Sequence, residues 1–458
     1  MGFLMRFFVL SLAFLTTVVL FQTRVTPETN QPAFPLEAAN ITPNEPLPAV
    51  CFSPDTPQSY VDQVNGLLPQ PPEGFRFGSR WSTTATDGGG LNQGDPTVIT
   101  WGLVDDGLSI PGAIGEPVAP SNLRARLNEI YPGGEAEWFP IFEQIWDEWA
   151  SFIGVTYVYE PNDDGAPIFD SPGVVGVRPD VRIGGHLIDG NSGVLAYNFF
   201  PNNGDMVLDT ADNFFENLTM QSLGMRNVLA HEHGHGMGIR HVCPVQQTKL
   251  MEPFVSFAFD GPQHDDVLTS NRLYGDREEP NDIAADATDL GMLGEVPTEI
   301  NTLSIDDAAD PDFFAIDLEA GAMVSATLTP VGFTYLEGQQ NPDGTCTAGT
   351  NFNSLVFSDL GFDLVDRNGT SVLTSVDVNG PGGVETLTDF SVGSAGTYYL
   401  RVFGDANQVQ LYNLQASAEA VLVPVCVYEE LLAAWNATSQ PCLLGNVPSV
   451  LDLVAALD

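Results

Sequence analysis

The sequence predicts an α+β domain followed by an all-β domain. The stretch Glu137 to Val158 carries apolar residues at helical spacing with a heavy aromatic face, which predicts a helix packed on a sheet. Val98 to Trp101 predicts the first strand of that sheet. Beyond residue 278 the pattern changes to short alternating strands, such as 323–329 and 396–402, separated by Gly, Asp and Asn turns. Such a pattern is typical of a β-sandwich.

The N-terminus predicts export. Arg6 precedes an apolar run from Phe7 to Phe21, and a run of about fifteen residues suits a secretory signal better than a spanning helix of about twenty. We therefore expect a signal peptide over 1–22 and a secreted protein. An uncleaved anchor is left open, because no small-x-small triplet marks a cleavage site. Residues 23–78 are rich in proline and asparagine and indicate a pro-segment or linker.

The charge balance excludes one class of partner. The chain has 60 acidic and 15 basic residues, a formal net charge of -45. Because phosphate binding needs a basic surface, we expect no nucleic-acid partner. No apolar stretch beyond the N-terminus is long enough to span a bilayer, so we expect no membrane contact after signal removal. We also expect a monomer.

The most informative segment runs from His231 to His241 and fits H-E-x-x-H-x-x-G-x-x-H. On a helix, His231 and His235 lie one turn apart on one face and can bind a single ion. Gly238 can end the helix and let the chain bring His241 back as a third ligand. Three nitrogens leave a fourth tetrahedral position open for water, which predicts one catalytic zinc, with Glu232 beside it as general base.

A histidine-rich surface helix is the alternative. The chain has six histidines and four lie within these eleven residues, which favours the metal site. His233 points to nearly the opposite face from His231, so we expect it to be solvated or hydrogen-bonded rather than a ligand.

The long motif resembles the metzincin metallopeptidases, and neighbouring segments narrow this to proteins similar to the matrixins. The resemblance covers about residues 80–275 and implies a twisted mixed sheet with long helices. Three segments carry it: a Met-turn at Leu250–Pro253 with Met251 as the floor under the metal, a closing helix over Gln263–Gly275, and an edge strand whose Leu195 and Ala196 pair with substrate backbone.

The resemblance also implies ions and a specificity pocket. Asp209 and Asp212 match an acidic pair that holds calcium in that family, although a solvated acidic turn is the alternative. A second, structural zinc is not expected, because Tyr197 occupies a position where a histidine would stand. Val242 also departs from the family, in which serine follows the third histidine. Residues 253–260 would wall the pocket, which suggests an apolar side chain after the cleaved bond.

Five cysteines make an odd number for an exported chain. Cys51 begins a Cys-x-x-Pro-Asp run that resembles the matrixin cysteine switch, in which a pro-segment thiolate blocks the zinc. The arginine that normally precedes it is absent, and Cys243 lies two residues beyond His241. We therefore weigh two alternatives, a switch and a Cys51–Cys243 disulfide, and favour the disulfide. Among Cys346, Cys426 and Cys442 we expect one bridge.

Residues 278–418 resemble the bacterial pre-peptidase C-terminal domain, through Glu279–Asp282, Asp312–Phe314 and the strand near 396. Domains of that family accompany secreted peptidases and are often removed on maturation. The tail 419–458 suggests no role. For residues 79–276 the sequence predicts a secreted zinc endopeptidase acting on proteins. A non-catalytic adhesion or matrix-binding protein is the alternative, and a zinc enzyme acting on small amides is a weaker third.

Overall fold

A computed structural model of the protein describes residues 48–67, 78–341 and 343–419. The expected signal peptide over 1–22, most of the expected pro-segment, and the tail with Cys426 and Cys442 lie outside these ranges. Within them, no helix has both the length and the apolar character needed to cross a membrane.

The N-terminal domain combines a mixed sheet with helices. Its elements, in chain order, are β1 (Ala49–Phe52), α1 (Gln58–Leu67), β2 (Thr83–Thr84), β3 (Gly88–Gly89), β4 (Thr97–Leu103), β5 (Ser109–Ile110), β6 (Ala119–Pro120), α2 (Leu123–Ile130), α3 (Glu135–Ala150), β7 (Val155–Tyr159), β8 (Val181–His186), β9 (Val194–Asn198), β10 (Met206–Asp209), a 3-10 helix (Asn213–Glu216), α4 (Thr219–Gly236), β11 (Val242–Cys243) and α5 (His264–Tyr274).

The main sheet of this domain has six strands in the order β1-β9-β10-β8-β4-β7. The four strands from β10 to β7 run parallel to their neighbours, whereas β9 and β1 each pair antiparallel. The expected mixed sheet is therefore present. Its β9 would be an edge strand if the N-terminal β1 were not added to it.

The aromatic stretch predicted from helical spacing forms α3, but the helix ends earlier than the stretch. Trp138, Trp146 and Trp149 are buried on its inner face, and Trp149 Nε1 donates a 3.2 Å hydrogen bond to the carbonyl of Ala230 on α4. The remainder forms β7, and Gly154 lies between the two elements. The chain there passes so close to α5 that a side chain would lie 2.3 Å from one of its backbone oxygens. The β-branched residues after it suit a strand.

The C-terminal domain is all β. Its strands are β12 (Thr288–Met292), β13 (Thr298–Ile305), β14 (Asp312–Leu318), β15 (Met323–Val331), β16 (Thr334–Gln339), β17 (Thr350–Asn353), β18 (Leu360–Val365), β19 (Val372–Val376), β20 (Glu385–Ser391), β21 (Gly396–Gly404) and β22 (Gln410–Glu419). One sheet has the order β12-β14-β21-β18-β19 and the other β13-β22-β15-β20. Buried residues of both sheets form one core, so the two sheets pack against each other.

One small sheet joins the domains. Its order is β11-β16-β17, so a strand that follows the zinc-binding motif pairs with a hairpin of the C-terminal domain. This hairpin, residues 334–353, is called the active-site hairpin below.

Candidate metal centre

The three histidines of the motif converge. His231 and His235 lie on α4 and their Nε2 atoms are 3.0 Å apart, while the Nε2 atom of His241 is 3.2 Å from each. Tetrahedral zinc with Zn–N bonds of about 2.0 Å would place its nitrogens about 3.3 Å apart. The three side chains therefore fit a zinc ion.

In His231 and His235, the Nδ1 atom, which faces away from the histidine cluster, lies next to a hydrogen-bond acceptor. His231 Nδ1 lies 2.7 Å from the carbonyl of Leu250, and His235 Nδ1 lies 2.8 Å from the carbonyl of Ile239. Both carbonyls can only accept, so Nδ1 carries the hydrogen and Nε2 keeps its lone pair. Burial lowers the pKa of His231 to about 3 and that of His241 to about 4, which favours the neutral, ligating form.

Glu232 lies beside the histidine cluster without blocking it. Its side chain is fully buried, and within the described ranges neither carboxylate oxygen has a hydrogen-bond partner of normal geometry. Burial raises its pKa well above the ordinary value, and the nearby backbone of Cys51 offsets this only in part. A buried carboxyl group whose oxygens lack a hydrogen-bond partner of normal geometry can exchange a proton with a bound molecule.

Met251 packs under the metal-binding helix. A side chain at Gly234, between the two helix ligands, would lie 2.4 Å from the Met251 sulfur. Asp266 of α5 holds the turn in place, because its carboxylate accepts from the amides of Leu250 at 2.8 Å and Met251 at 3.1 Å. The methionine therefore packs against α4 between His231 and His235, and its role as the floor of the site stays a prediction.

The expected substrate strand is already paired. Strand β1 lies antiparallel to β9, with Cys51 opposite Ala196 and Phe52 opposite Val194. On its other side, the amide of Phe52 donates to the carbonyl of Pro253 at 3.3 Å. The N-terminal segment thus fills the space between the predicted edge strand and the predicted pocket wall.

Cys51 brings a thiol to the same place. Its sulfur, a His231 nitrogen and a Glu232 oxygen all lie within 4.8 Å of one another. The thiol is buried and forms no disulfide. These three side chains are a second donor set, which shares His231 with the histidine cluster.

The comparisons with known proteins point to one family. Residues 180–275 match the family model of the matrixin peptidases. The segment is thus similar to the matrixins, and for that similarity the N-terminal domain that contains it is called the matrixin domain below. The chain is 34% identical over 96 residues to the hatching enzyme of Paracentrotus lividus, covering 20% of this chain and 15% of that protein. It is also 31% identical over 113 residues to metalloendoproteinase 4-MMP of Arabidopsis thaliana, covering 22% of this chain and 29% of that protein.

These matches span well under a third of either relative. Among solved structures, the pre-peptidase C-terminal domain of a Bacillus anthracis collagenase is 13% identical and covers 29% of this chain and 94% of its own, with a TM-score of 0.19. The Aeromonas hydrophila lysozyme inhibitor PliG is 12% identical and covers 29% and 96%, with a TM-score of 0.17. Both TM-scores are too low to establish a shared fold.

The disulfide differs from the expected one. Cys243 of the matrixin domain is bonded to Cys346 of the active-site hairpin, so the favoured Cys51–Cys243 bridge does not form. Cys346 is therefore not part of the one bridge expected among Cys346, Cys426 and Cys442, and the other two cysteines lie outside the described residues. Because β11 pairs with β16, the two sulfurs are brought together across 103 residues of sequence. Of the two alternatives for Cys51, the disulfide is excluded, and the zinc-blocking switch stays a prediction.

The residues expected to bind calcium brace a turn. The Asp209 carboxylate accepts from the amides of Asp189 at 2.9 Å and Gly190 at 2.7 Å, and Asp212 accepts from those of Ser192 and Phe214. These contacts engage the oxygens with backbone, and calcium binding there stays a prediction.

The region that would hold a structural zinc contains a buried polar cluster. Tyr197 donates a 2.8 Å hydrogen bond to Glu116, and His186 Nε2 lies 3.6 Å from the same carboxylate. Glu116 also accepts from two backbone amides of its own loop. The absence of a structural zinc, expected because Tyr197 stands in place of a histidine, stays a prediction.

His233 faces away from the three ligating histidines. Its Nε2 lies 2.6 Å from the hydroxyl of Tyr157, and its ring packs edge-on against Trp146 at 4.2 Å. It is a buried, hydrogen-bonded histidine, in agreement with the sequence analysis.

A third donor set lies near the domain junction. Oxygens of Glu279, Asp310 and Asp312 lie within 4.8 Å of one another. Burial, together with repulsion from nearby carboxylates, raises the pKa of Glu279 to about 8 and that of Asp310 to about 10. An all-oxygen set suits a hard cation such as Ca²⁺ rather than zinc. In the sequence, Glu279 and Asp312 stand out only through the resemblance of residues 278–418 to the pre-peptidase C-terminal domain.

Proposed function

We propose that the chain is a secreted zinc-dependent endopeptidase, with the matrixin domain as its catalytic part and residues 278–418 as a β-sandwich partner. The observation that carries this is the triad of Nε2 atoms 3.0 to 3.2 Å apart, next to a buried Glu232 with unengaged oxygens. Zinc, when bound by these histidines, would polarise a scissile carbonyl and lower the pKa of water to about 7.

Glu232 would act as the proton carrier. One of its oxygens would accept a proton from the attacking water and return it to the leaving amine. The buried surroundings favour the protonated form, so the group can hold the proton between the two steps. Leu195 and Ala196 on β9 would bind the backbone of an extended protein substrate by adding it as a strand.

The pocket wall supports an apolar preference after the cleaved bond. Phe257 is partly exposed and, with Phe259, Leu223 and Met220, it lines a pocket of about 340 Å³ between the wall and the start of α4. Arg226 and Asp260, which form an ion pair, line the same pocket. A substrate side chain reaching this pocket would meet the rings of Phe257 and Phe259 next to these two charged groups.

The test separates metal loss from base loss. Glu232→Ala should keep zinc and lose nearly all cleavage of a protein substrate, because general-base removal typically costs 10²–10⁴-fold. His235→Ala should lose the zinc as well. Glu143→Ala, at an exposed glutamate of α3, is the matched control and should keep both. Near-normal cleavage by Glu232→Ala would contradict the proposed role.

We also propose that the N-terminal segment keeps the enzyme latent. Strand β1 takes the place that a substrate backbone would take along β9, and Ser53 continues the pairing through a 2.9 Å hydrogen bond to Gly193. The Cys51 sulfur lies beside His231 and Glu232, where it can bind the metal and exclude water. Helix α1 anchors the segment, because Tyr60 donates to Asp189 at 2.7 Å.

A spectroscopic experiment tests the thiol. Full-length protein loaded with cobalt should show a thiolate-to-metal charge-transfer band, and Cys51→Ser should remove it and raise the activity of the uncleaved chain. Cys243→Ala together with Cys346→Ala is the control and should leave the band intact. An unchanged band in Cys51→Ser would contradict thiolate binding and leave strand β1 as the only block.

A further inference from the structure

The active-site hairpin of the C-terminal domain reaches the third histidine. Residues Val242 and Cys243, directly after His241, pair with Gln339 and Gly338 of the hairpin. The Cys243–Cys346 disulfide joins the same two segments. The chain that carries the third ligand is therefore held by the other domain through both backbone pairing and a covalent bond.

Gln340 follows this paired strand and contacts the ligand itself. Its Oε1 atom lies 2.8 Å from His241 Nδ1. Its Nε2 atom donates to the carbonyl of Gly344 at 3.0 Å. Because a carbonyl cannot donate, the second contact fixes which end of the amide is nitrogen, and so the oxygen faces the histidine. Gln340 therefore accepts the hydrogen from His241 Nδ1.

The third ligand depends on such a contact more than the other two. His231 and His235 are fixed by α4, and their Nδ1 atoms donate to carbonyls of the matrixin domain. His241 lies beyond the end of the helix, after Gly238 turns the chain with a φ of +101°. Its Nδ1 acceptor comes from the other domain. An acceptor at Nδ1 fixes the tautomer and the ring plane and so presents Nε2 to the metal.

We propose that Gln340 is a positioning residue for His241, and that the C-terminal domain is therefore part of the metal centre rather than a separable appendage. This inference rests on the proposed zinc site. It assigns a function to a domain whose resemblance alone suggests removal on maturation. Loss of the hairpin would leave the third ligand without its acceptor and without its paired strand.

Zinc affinity of the full chain is the measurement, determined by competition with a chromogenic chelator. Gln340→Met keeps the length of the side chain and removes the acceptor, so it should weaken zinc binding by about 10–100-fold, the usual effect of losing such a partner. Gln340→Glu keeps an acceptor for His241 but cannot donate to Gly344, and it should bind zinc at least as tightly as the wild type. Gln339→Ala, on the exposed neighbouring side chain, is the matched control and should be unchanged.

The outcomes separate the hypotheses. Equal zinc affinity in folded Gln340→Met and wild type would overturn the proposal, and so would an equal loss in Gln340→Met and Gln340→Glu, which would indicate a role in hairpin packing only. If Gln340→Met fails to fold, Gln340→Glu decides, since binding weaker than wild type overturns the proposal. A wild type that binds no zinc at the triad would instead contradict the proposed function.

Discussion

Removing the interdomain disulfide should destabilise the matrixin domain measurably. The Cys243–Cys346 bridge spans 103 residues, and a cross-link closing a loop of about 100 residues removes about 4.7 kcal/mol of chain entropy from the unfolded state. The variant is Cys243→Ala with Cys346→Ala, because alanine introduces no buried polar group at the fully buried first position. At about 2.1 cal/mol/K per residue over roughly 360 described residues, the loss corresponds to a midpoint about 6 °C lower.

Tryptophan fluorescence during heating or urea unfolding provides the assay. Five of the six tryptophans lie between residues 81 and 149, so the signal reports on the N-terminal domain. Reductant should shift the wild type to the midpoint of the double variant and should leave the double variant unchanged. Equal midpoints for oxidised wild type and double variant would refute the reasoning, since the bridge would then constrain neither domain.

Three further predictions concern the stability contributed by other buried groups. Gly234→Ala should lower the thermal midpoint, because overpacking of about 1–3 kcal/mol against Met251 exceeds the helix-propensity gain of about 1 kcal/mol, and a more stable variant would contradict this. Folding raises the pKa values of Glu279 and Asp310, so their protonation contributes stability that is full below about pH 4 and is lost as the pH rises toward 8 to 10. In the presence of chelator, the urea midpoint should therefore be lower at pH 9 than at pH 5, and a higher midpoint at pH 9 would contradict this. Trp81→Phe removes a 2.7 Å hydrogen bond to the last carbonyl of α4 and should cost about 1 kcal/mol by urea unfolding; no change would contradict the bond's role.

The convergence of the three motif histidines is predictable because their geometry is local. His231 and His235 are placed by helical periodicity, and Gly238 is needed where the chain turns off the helix with a positive φ. Met251 could be placed only by resemblance, since a buried methionine has no sequence signal of its own. For the three histidines, by contrast, short-range spacing already determines which atoms meet.

The contacts made by the hairpin were not predictable in the same way. His241 and Gln340 are separated by 99 residues and belong to different domains, so no periodicity relates them. The disulfide prediction was wrong for a related reason: an odd number of cysteines allows many pairings, and proximity of Cys243 to the motif does not identify its partner. Val242, an unexplained departure in the sequence, is accounted for as a strand residue paired with the hairpin.

The N-terminal segment shows a different limit of sequence reasoning. Its composition indicates a linker, yet it contains β1 and helix α1, in which Val61 and Val64 are buried. A four-residue strand has too few positions to show a periodic pattern, and it is stabilised by the cleft that receives it rather than by its own composition. Composition therefore indicated a pro-segment or linker over 23–78, but it does not encode the cleft against which residues 48–67 pack.

Two segments contact the candidate metal centre, strand β1 and the active-site hairpin, and we expect their removal to have opposite effects on activity. Strand β1 occupies the backbone positions along β9 that a substrate strand would use, although Val50 and Phe52 also pack into a hydrophobic cluster with Tyr197 and Val207. The active-site hairpin instead supplies an acceptor to His241 and is covalently bonded two residues further on. Proteolytic maturation that removed the first would expose the centre, whereas removal of the second would weaken its metal binding. Of the two segments, we therefore propose the N-terminal one as the part that is removed on activation.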